Sequence, residues 1–487
     1  MDKKQKLLLR NEAARCLLCH DAPCSGACPN RLDPARTIRS ARFENAQSGG
    51  KACVACDAPC ERACLHPDFP VGIRHLMTLA DETTAGASNR RVDLAIDFCG
   101  VHCVNPFFLG SSTITSNYEM CARSFEAGWG GLVHKTIAMM PFQEVSPRFD
   151  CIGKEATPFI GFRNLEQLYD KPFRRAFDDI ARLKKNFPDR VVVASIMGRN
   201  ASEWTELAKL ATDSGADIIE CNFSCPHMKE GGLGATIGSL PEAVEECTAA
   251  TLRGAAVPVI AKLTPNVTDM VAPAMAAINA GASGLAAINT IRSLTGILDD
   301  ERLVAGKTAI SGYSGKAVKP IALRFVAELK NEAALRNIPL SGIGGIETWR
   351  DAAEFFALGC ENVQVVTAVM QYGYRIIDDL VDGMRRFLSE SGYDSIKEFS
   401  ASRLGVQVGA DFLDRESIVY PVVDREQCVR CGRCFISCHD GGHQAITLRD
   451  RDPIIDGKQC VGCLLCSLAC PVIAIGASRR VNRYSSF

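Results

Sequence analysis

Cysteine placement constrains this chain more than any other feature. Of its 24 cysteines, eight fall between Cys16 and Cys64 and eight between Cys428 and Cys470, while eight are spread over the 363 residues between. Twelve disulfides would need an oxidising compartment. The opening Met1-Asp2-Lys3-Lys4-Gln5-Lys6 leads into a charged helical pattern, not a secretory apolar core with a cleavage site. A cytoplasmic location is therefore expected, and metal binding is the expected use of the two dense end groups.

The C-terminal group reads Cys428-x2-Cys431-x2-Cys434-x3-Cys438, then Cys460-x2-Cys463-x2-Cys466-x3-Cys470-Pro471. Thiolates at this spacing wrap three corners of one 4Fe-4S cube, and the fourth crosses to the other cube. Cys428, Cys431, Cys434 and Cys470 are thus expected on one cluster, and Cys438, Cys460, Cys463 and Cys466 on the other. Zinc knuckles are the alternative, but zinc sites take four ligands in two pairs rather than a doubled set of four. The N-terminal group is looser: Cys16-x2-Cys19-x4-Cys24-x3-Cys28-Pro29, then Cys53-x2-Cys56-x3-Cys60-x3-Cys64. Its spacing leaves iron–sulfur and zinc both open. Two antiparallel helical segments would let the last cysteine of each half cross over. That grouping is Cys16, Cys19, Cys24 and Cys64, with Cys28, Cys53, Cys56 and Cys60 as the second set. Cubane clusters pass electrons singly, so a wire ending at two-electron chemistry needs a converter, and flavin is the usual one.

A length of 487 residues suggests roughly three domains. Boundaries are expected at 1–78 for a helical iron–sulfur domain, 92–410 for a middle domain and 418–487 for a ferredoxin-like domain with two 4Fe-4S clusters. The small, polar stretch Asp81–Asn89 reads as a linker. With 55 basic against 56 acidic residues, nucleic acid and an anionic membrane surface are not expected partners. An apolar content of 47% and a charged content of 23% exclude a disordered or fibrous chain. No apolar run is long enough to span a bilayer.

From Val92, short apolar runs alternate with amphipathic helical stretches. Eight runs can be counted: Phe107–Gly110, Gly131–Lys135, Val191–Met197, Ile218–Asn222, Val259–Leu263, Gly284–Asn289, Leu340–Gly344 and Val363–Thr367. Eight βα repeats over roughly 300 residues fit an α/β fold of the (β/α)8 TIM-barrel type. An open doubly wound sheet is the alternative. Val92–Phe98 is expected to form a short hairpin closing the barrel floor.

Barrel chemistry sits at the C-terminal strand ends. There lie Gly110-Ser111-Ser112, Lys135-Thr136, Asn222-Phe223-Ser224-Cys225-Pro226-His227, Lys262, Asn289-Thr290, Gly342-Ile343-Gly344-Gly345 and Thr367-Ala368. Glycines and a hydroxyl after strands seven and eight are where barrels place a phosphate. A phosphate there, with lysines reaching the centre, suits FMN. Lys135 or Lys262 near its N1 edge would stabilise the reduced, anionic ring. The expected cofactor set is Gly110, Ser111, Lys135, Lys262, Gly315, Gly344, Gly345, Thr367 and Ala368. The bland alternatives are an outward salt bridge for Lys262, and satisfaction of strand-end backbone groups by Asn222 and Asn289. Cys225 is either a small buried hydrophobe or, beside the Gly-rich stretch Gly231–Gly238, a reactive thiol on an active-site loop. Gly232-x-Gly234-x3-Gly238 lacks the spacing of a dinucleotide fingerprint, and no convincing Rossmann G-x-G-x-x-G is found.

Taken together, these blocks resemble the FMN-containing part of the dihydropyrimidine dehydrogenases, within the dihydroorotate dehydrogenase-like barrels. The resemblance covers about 92–475. It rests on Asn105-Pro106-Phe107, Phe125-Glu126-Ala127-Gly128-Trp129-Gly130, Val145-Ser146-Pro147-Arg148, Ala194-Ser195-Ile196-Met197, Asn222 to His227, Ala261-Lys262-Leu263-Thr264-Pro265-Asn266, Asn289-Thr290 and the two ferredoxin motifs. Residues 1–78 separately resemble the N-terminal iron–sulfur domain of the same enzymes through Glu12-Ala13-Ala14-Arg15-Cys16-Leu17-Leu18-Cys19 and Ala22-Pro23-Cys24. Met77 stands where the family has a glutamine ligand, and Cys53 is expected to replace it. The FAD- and NADPH-binding domains that full-length members insert after this unit are missing here.

The resemblance implies a substrate set of Asn164, Glu166, Asn222, Ser224, Asn289 and Thr290, which suits the carbonyls and N–H groups of a neutral pyrimidine. It implies hydride delivery from reduced FMN to C6 of uracil or thymine, with Cys225 as the acid that protonates C5. Electrons would come from a separate NAD(P)H-oxidising flavoprotein subunit or a ferredoxin, in a homodimer or hetero-oligomer. Two rivals remain open. One is a dihydroorotate dehydrogenase-type or other cyclic-amide oxidoreductase, and Glu166 would repel the orotate carboxylate there. The other is a non-catalytic iron–sulfur electron-transfer subunit.

Overall fold

A computed structural model describes residues 3–45, 50–84, 92–152, 159–223 and 235–483. The chain divides into two compact units. One takes in Met1–Arg42, Ala46–Ala85 and Val408–Phe487, the other Phe43–Asn45 and Gly86–Gln407.

The larger unit is a closed eight-stranded parallel barrel. A hairpin of β1 (Ile96–Phe98) and β2 (Val101–Cys103) precedes it. The barrel strands are β3 (Phe107–Leu109), β4 (Gly131–Ile137), β7 (Val191–Ile196), β8 (Ile218–Asn222), β9 (Val259–Lys262), β10 (Gly284–Ala287), β13 (Leu340–Ile343) and β14 (Asn362–Val365). All eight expected runs form these strands, and β14 closes on β3 with Val363 opposite Phe107. The doubly wound alternative is thereby excluded. The strands are buried throughout, so an almost continuous Val/Ile/Leu/Ala pattern is what they require.

The barrel interior is graded along its axis. At the floor Phe98 and Cys103 from the hairpin pack with Phe108, Val133, Val191, Val193, Ile218 and Ile260. The hairpin therefore does plug the floor, but with strands at 96–98 and 101–103 rather than over Val92–Phe98. Two residues beyond Val133, Val193, Ile218 and Ile260 the inward positions become Lys135, Ser195, Glu220 and Lys262, and Gln364 reaches Glu220 from β14. Successive side chains alternate across a strand, so a polar residue two places beyond an inward apolar one also faces inward. A four-stranded antiparallel sheet completes the unit, in the order β11 (Ile291–Ser293), β12 (Ser311–Ser314), β6 (Gly161–Asn164), β5 (Phe149–Ile152). It is built from the segments that follow β4 and β10, and the sequence reading did not anticipate it.

In the cysteine-rich unit, helices Lys3–Ala14, Pro34–Arg42 and Ile73–Thr84 supply Ala13, Ile38, Ile73, Leu76 and Met77 to a core that includes Cys53 and Cys60. The C-terminal segment has three antiparallel strand pairs, Ser417–Ile418 with Val481–Asn482, Pro421–Val423 with Ile475–Ala477 and Ile446–Arg449 with Asp452–Ile455. Helix Arg433–Gly441 carries Cys434 and Cys438, and helix Leu465–Leu468 carries Cys466. No helix among the described residues is long and apolar enough to cross a membrane.

Candidate active site

The C-terminal mouth of the barrel opens into a cavity of about 1110 Å³, open solvent included. Of the expected cofactor residues, Ser111, Lys135, Lys262, Gly315, Gly344, Gly345, Thr367 and Ala368 line it. Gly110 does not. Its N–H donates to the Val365 carbonyl at 3.2 Å, and a Cβ there would press to 2.7 Å from the Val366 side chain. Its smallness serves closure between β14 and β3, and the cavity begins at the next residue. Of the expected substrate residues, Asn164, Glu166, Asn222, Asn289 and Thr290 line the same cavity. Ser224 and Cys225 lie outside the described residues.

One wall is a glycine cradle. Gly315, Gly344 and Gly345 have φ values of +92°, +127° and +72°, a region that strains any residue with a Cβ. A Cβ on Gly345 would fall 2.7 Å from the Lys319 backbone nitrogen and 3.0 Å from the Gly315 carbonyl. Beside them Ser314 Oγ and Thr367 Oγ1 lie 3.1 Å apart. This wall presents backbone and hydroxyl groups, the chemistry that suits a phosphate.

Another wall is a relay of uncharged groups. Asn289 Nδ2 donates to Asn222 Oδ1 at 3.2 Å, and Asn222 Nδ2 donates to Thr136 Oγ1 at 2.9 Å. Thr136 Oγ1 is 3.0 Å from Ser195 Oγ and 3.1 Å from Ser111 Oγ. Asn289 Oδ1 accepts from the Thr290 N–H at 2.8 Å, so the two asparagines are held from both sides.

The charges are buried and paired. Lys135 Nζ donates to Glu166 Oε1 at 2.6 Å and to Glu144 Oε1 at 3.3 Å, with all three side chains less than a tenth exposed. Thr113 Oγ1 donates to the second Glu166 oxygen at 3.2 Å. Lys262 Nζ lies 3.5 Å from Glu220 Oε1. Lys262 thus points into the barrel, and the outward reading of it is overturned. Glu144, Glu220 and Gln364 were not singled out from the sequence. Glu220 could have been, since a lone charge in the run Ile218-Ile219-Glu220-Cys221 is the same signal that marked Lys262.

None of the described cysteines is in a disulfide. Among the described residues no three His, Cys, Asp or Glu side chains converge as ligands of a single ion do. A cubane asks for a wider array, with one thiolate for each iron. Burial raises the pKa of the Cys16, Cys24, Cys60, Cys434 and Cys466 thiols, and neighbouring thiols add to the shift. The neighbours are Cys19 and Cys64 for Cys16, Cys16 for Cys24, Cys28 for Cys60, and Cys428 and Cys431 for Cys434. Cys466 lies near Cys438 and Cys460, and also near Cys434. Cys438, Cys460, Cys463 and Cys466 line one cavity with Ile446, Leu464 and Leu465. Cys470 Sγ accepts the Ala474 N–H at 3.2 Å, the kind of bond that stabilises a thiolate ligand. The C-terminal residues fit cubane clusters.

Residues 93–388 match the dihydroorotate dehydrogenase family, and residues 421–476 match the 4Fe-4S dicluster domain. The NAD-dependent dihydropyrimidine dehydrogenase subunit PreA of Escherichia coli (strain K12) is 51% identical over 386 residues, which are 78% of this chain and 94% of that protein. The chloroplastic dihydropyrimidine dehydrogenase (NADP(+)) of Arabidopsis thaliana is 38% identical over 336 residues, 66% of this chain and 79% of its own. The catalytic subunit of dihydroorotate dehydrogenase B (NAD(+)) from Pyrococcus abyssi is 36% identical over 317 residues, 64% of this chain and all of its own. With a flavin-family barrel and a C-terminal iron–sulfur domain in one chain, the protein belongs to the dihydroorotate dehydrogenase family and is a dihydropyrimidine dehydrogenase-like oxidoreductase.

Proposed function

We propose that the chain interconverts uracil or thymine and its 5,6-dihydro form, using FMN in the barrel mouth and electrons relayed through iron–sulfur clusters. The observation that carries this reading is a single cavity that combines a glycine cradle, an uncharged amide–hydroxyl relay and two buried lysines. When bound, FMN supplies the exchange of a hydride with C6 of the ring. The rest falls to the chain's own residues. Asn164, Asn222, Asn289 and Thr290 offer donors and acceptors to the ring's carbonyl and N–H groups, and Glu166 adds an acceptor. Gly315, Gly344, Gly345, Thr367 and Ala368 would take the phosphate, with Ser111, Lys135 and Lys262 along the ring. Ser224 and Cys225 follow directly on Asn222 and Phe223 at the end of β8. In the reducing direction the Cys225 thiol gives its proton to C5 as hydride arrives at C6, and the thiolate takes the proton back in reverse.

The sixteen end-group cysteines would hold four cubane clusters, two in each expected cysteine domain (1–78 and 418–487), with 92–410 as the catalytic domain. The bacterial and plant relatives are named for NAD and NADP(+). That supports a nicotinamide as the ultimate electron source, reaching this chain through a partner flavoprotein subunit or a ferredoxin. The bacterial relative is named as a subunit, which supports a hetero-oligomer. A cytoplasmic location is part of the same reading.

The test is anaerobic purification followed by flavin, iron and sulfide analysis, then turnover of uracil, thymine and dihydroorotate with a chemical reductant or oxidant. Uracil or thymine reduction by FMN-containing protein is expected, and Cys225→Ala should keep FMN and lose at least about a hundredfold in turnover. Preferential turnover of dihydroorotate would favour the dihydroorotate reading. Iron and sulfide without any flavin would favour an electron-transfer subunit.

A further inference from the structure

One buried carboxylate inside the barrel is not used by the chemistry above. Glu220, on β8, has no solvent exposure. Its position is two residues below Asn222, which is in register with Lys262 on β9. Oε1 lies 3.5 Å from Lys262 Nζ and has no hydrogen-bond partner. Oε2 accepts from Gln364 Nε2 at 3.3 Å, and the same nitrogen donates to Ser341 Oγ at 3.1 Å. Lys262 lines the cavity and Glu220 does not. The carboxylate therefore stands behind the ammonium, and Gln364 and Ser341 fix it from the opposite strands.

A charge pair in such a water-poor site interacts far more strongly than at the surface. The field that Lys262 projects into the cavity is then the field of a partly cancelled charge. We propose that Glu220 is a positioning residue that holds the Lys262 ammonium at the cavity floor and, as its counter-charge, sets the electron affinity of the flavin above it. This rests on the flavin site proposed above. Neutralising Glu220 leaves the lysine's charge uncancelled, which favours the reduced, anionic ring over the neutral oxidised one. The potential should rise.

The experiment is a spectroelectrochemical titration of bound FMN in the full-length protein. Glu220→Gln keeps the shape and the bond to Gln364. It should shift the two-electron equilibrium towards reduction by about tenfold, which is about 30 mV. Lys262→Met should shift it the other way. In the Lys262→Met background Glu220 has no ammonium to hold or to cancel, so adding Glu220→Gln should change the equilibrium by less than about threefold. Wild-type protein that binds no FMN would refute the flavin site itself. FMN-loaded Glu220→Gln that titrates with the wild type would overturn the role of Glu220 alone, as would an equal shift with and without Lys262. If Glu220→Gln does not fold, Glu220→Asp draws the charge back by one methylene and should raise the potential less but in the same direction; no rise overturns the proposal.

Discussion

Lys135 shows how much a single side chain carries at this site. Its ammonium is shared by Glu166 at 2.6 Å and Glu144 at 3.3 Å, and none of the three is appreciably exposed. Removing one partner of a buried pair costs more than the pair contributes, because the other charge is left unsolvated and unpaired. Lys135→Met strands two carboxylates together and should lower unfolding stability by about 3–5 kcal/mol. Glu166→Gln leaves Glu144 in place and should cost clearly less. Urea unfolding of the two variants measures the difference, and equal losses would refute a shared ammonium. The arrangement could not be read locally from the sequence. Glu144 and Glu166 lie 9 and 31 residues beyond the lysine, and only the closed barrel and the added sheet bring them back.

At the scale of elements, the barrel strands were legible because each is buried on both faces and must be a short apolar run. The four-stranded sheet was not. Its strands are three or four residues long and include Asp150, Arg163 and Arg292, and its central pairing, β12 with β6, joins segments more than a hundred residues apart. Neither alternation nor length marks such strands. The glycines of the cradle, Gly315 included, were expected at the site, but the close approach of Gly345 to the Gly315 carbonyl and the Lys319 nitrogen is a matter of tertiary packing. Gly345→Ala must move the Lys319 nitrogen or the Gly315 carbonyl. Retention of FMN is expected to fall at least about tenfold while the circular dichroism melt changes little; unchanged retention would place the phosphate elsewhere.

Strand β4 also carries a pH dependence. His134 is fully buried, its ring centroid 5.5 Å from that of Tyr169, and burial pushes its pKa down to about 4. Between that value and the unfolded value of 6.5 the unfolded chain binds a proton that the native state refuses. Stability is therefore complete above pH 6.5 and falls as acid is added, by at most about 3 kcal/mol. Wild type compared with His134→Gln between pH 7 and 5 by chemical denaturation should show the steeper loss in wild type. Parallel curves would exclude His134 as the cause.

For the whole molecule, the clusters proposed at both ends of the barrel chain would carry electrons to or from the barrel one at a time. That dependence is separable from the barrel chemistry. Cys463 is exposed, away from the barrel mouth residues in sequence, and lines a cavity with Cys438, Cys460 and Cys466. Cys463→Ser weakens one ligand of that set and should reduce iron by up to about four per chain. Turnover driven by a protein donor should then fall at least about tenfold, while a small reductant that reaches the flavin directly should still support uracil reduction at near the wild-type rate. Two different losses would separate a wire from a scaffold. If both assays fell together with intact FMN, the C-terminal cysteines would be holding the barrel's shape; if iron fell and neither assay changed, electrons would enter by another route.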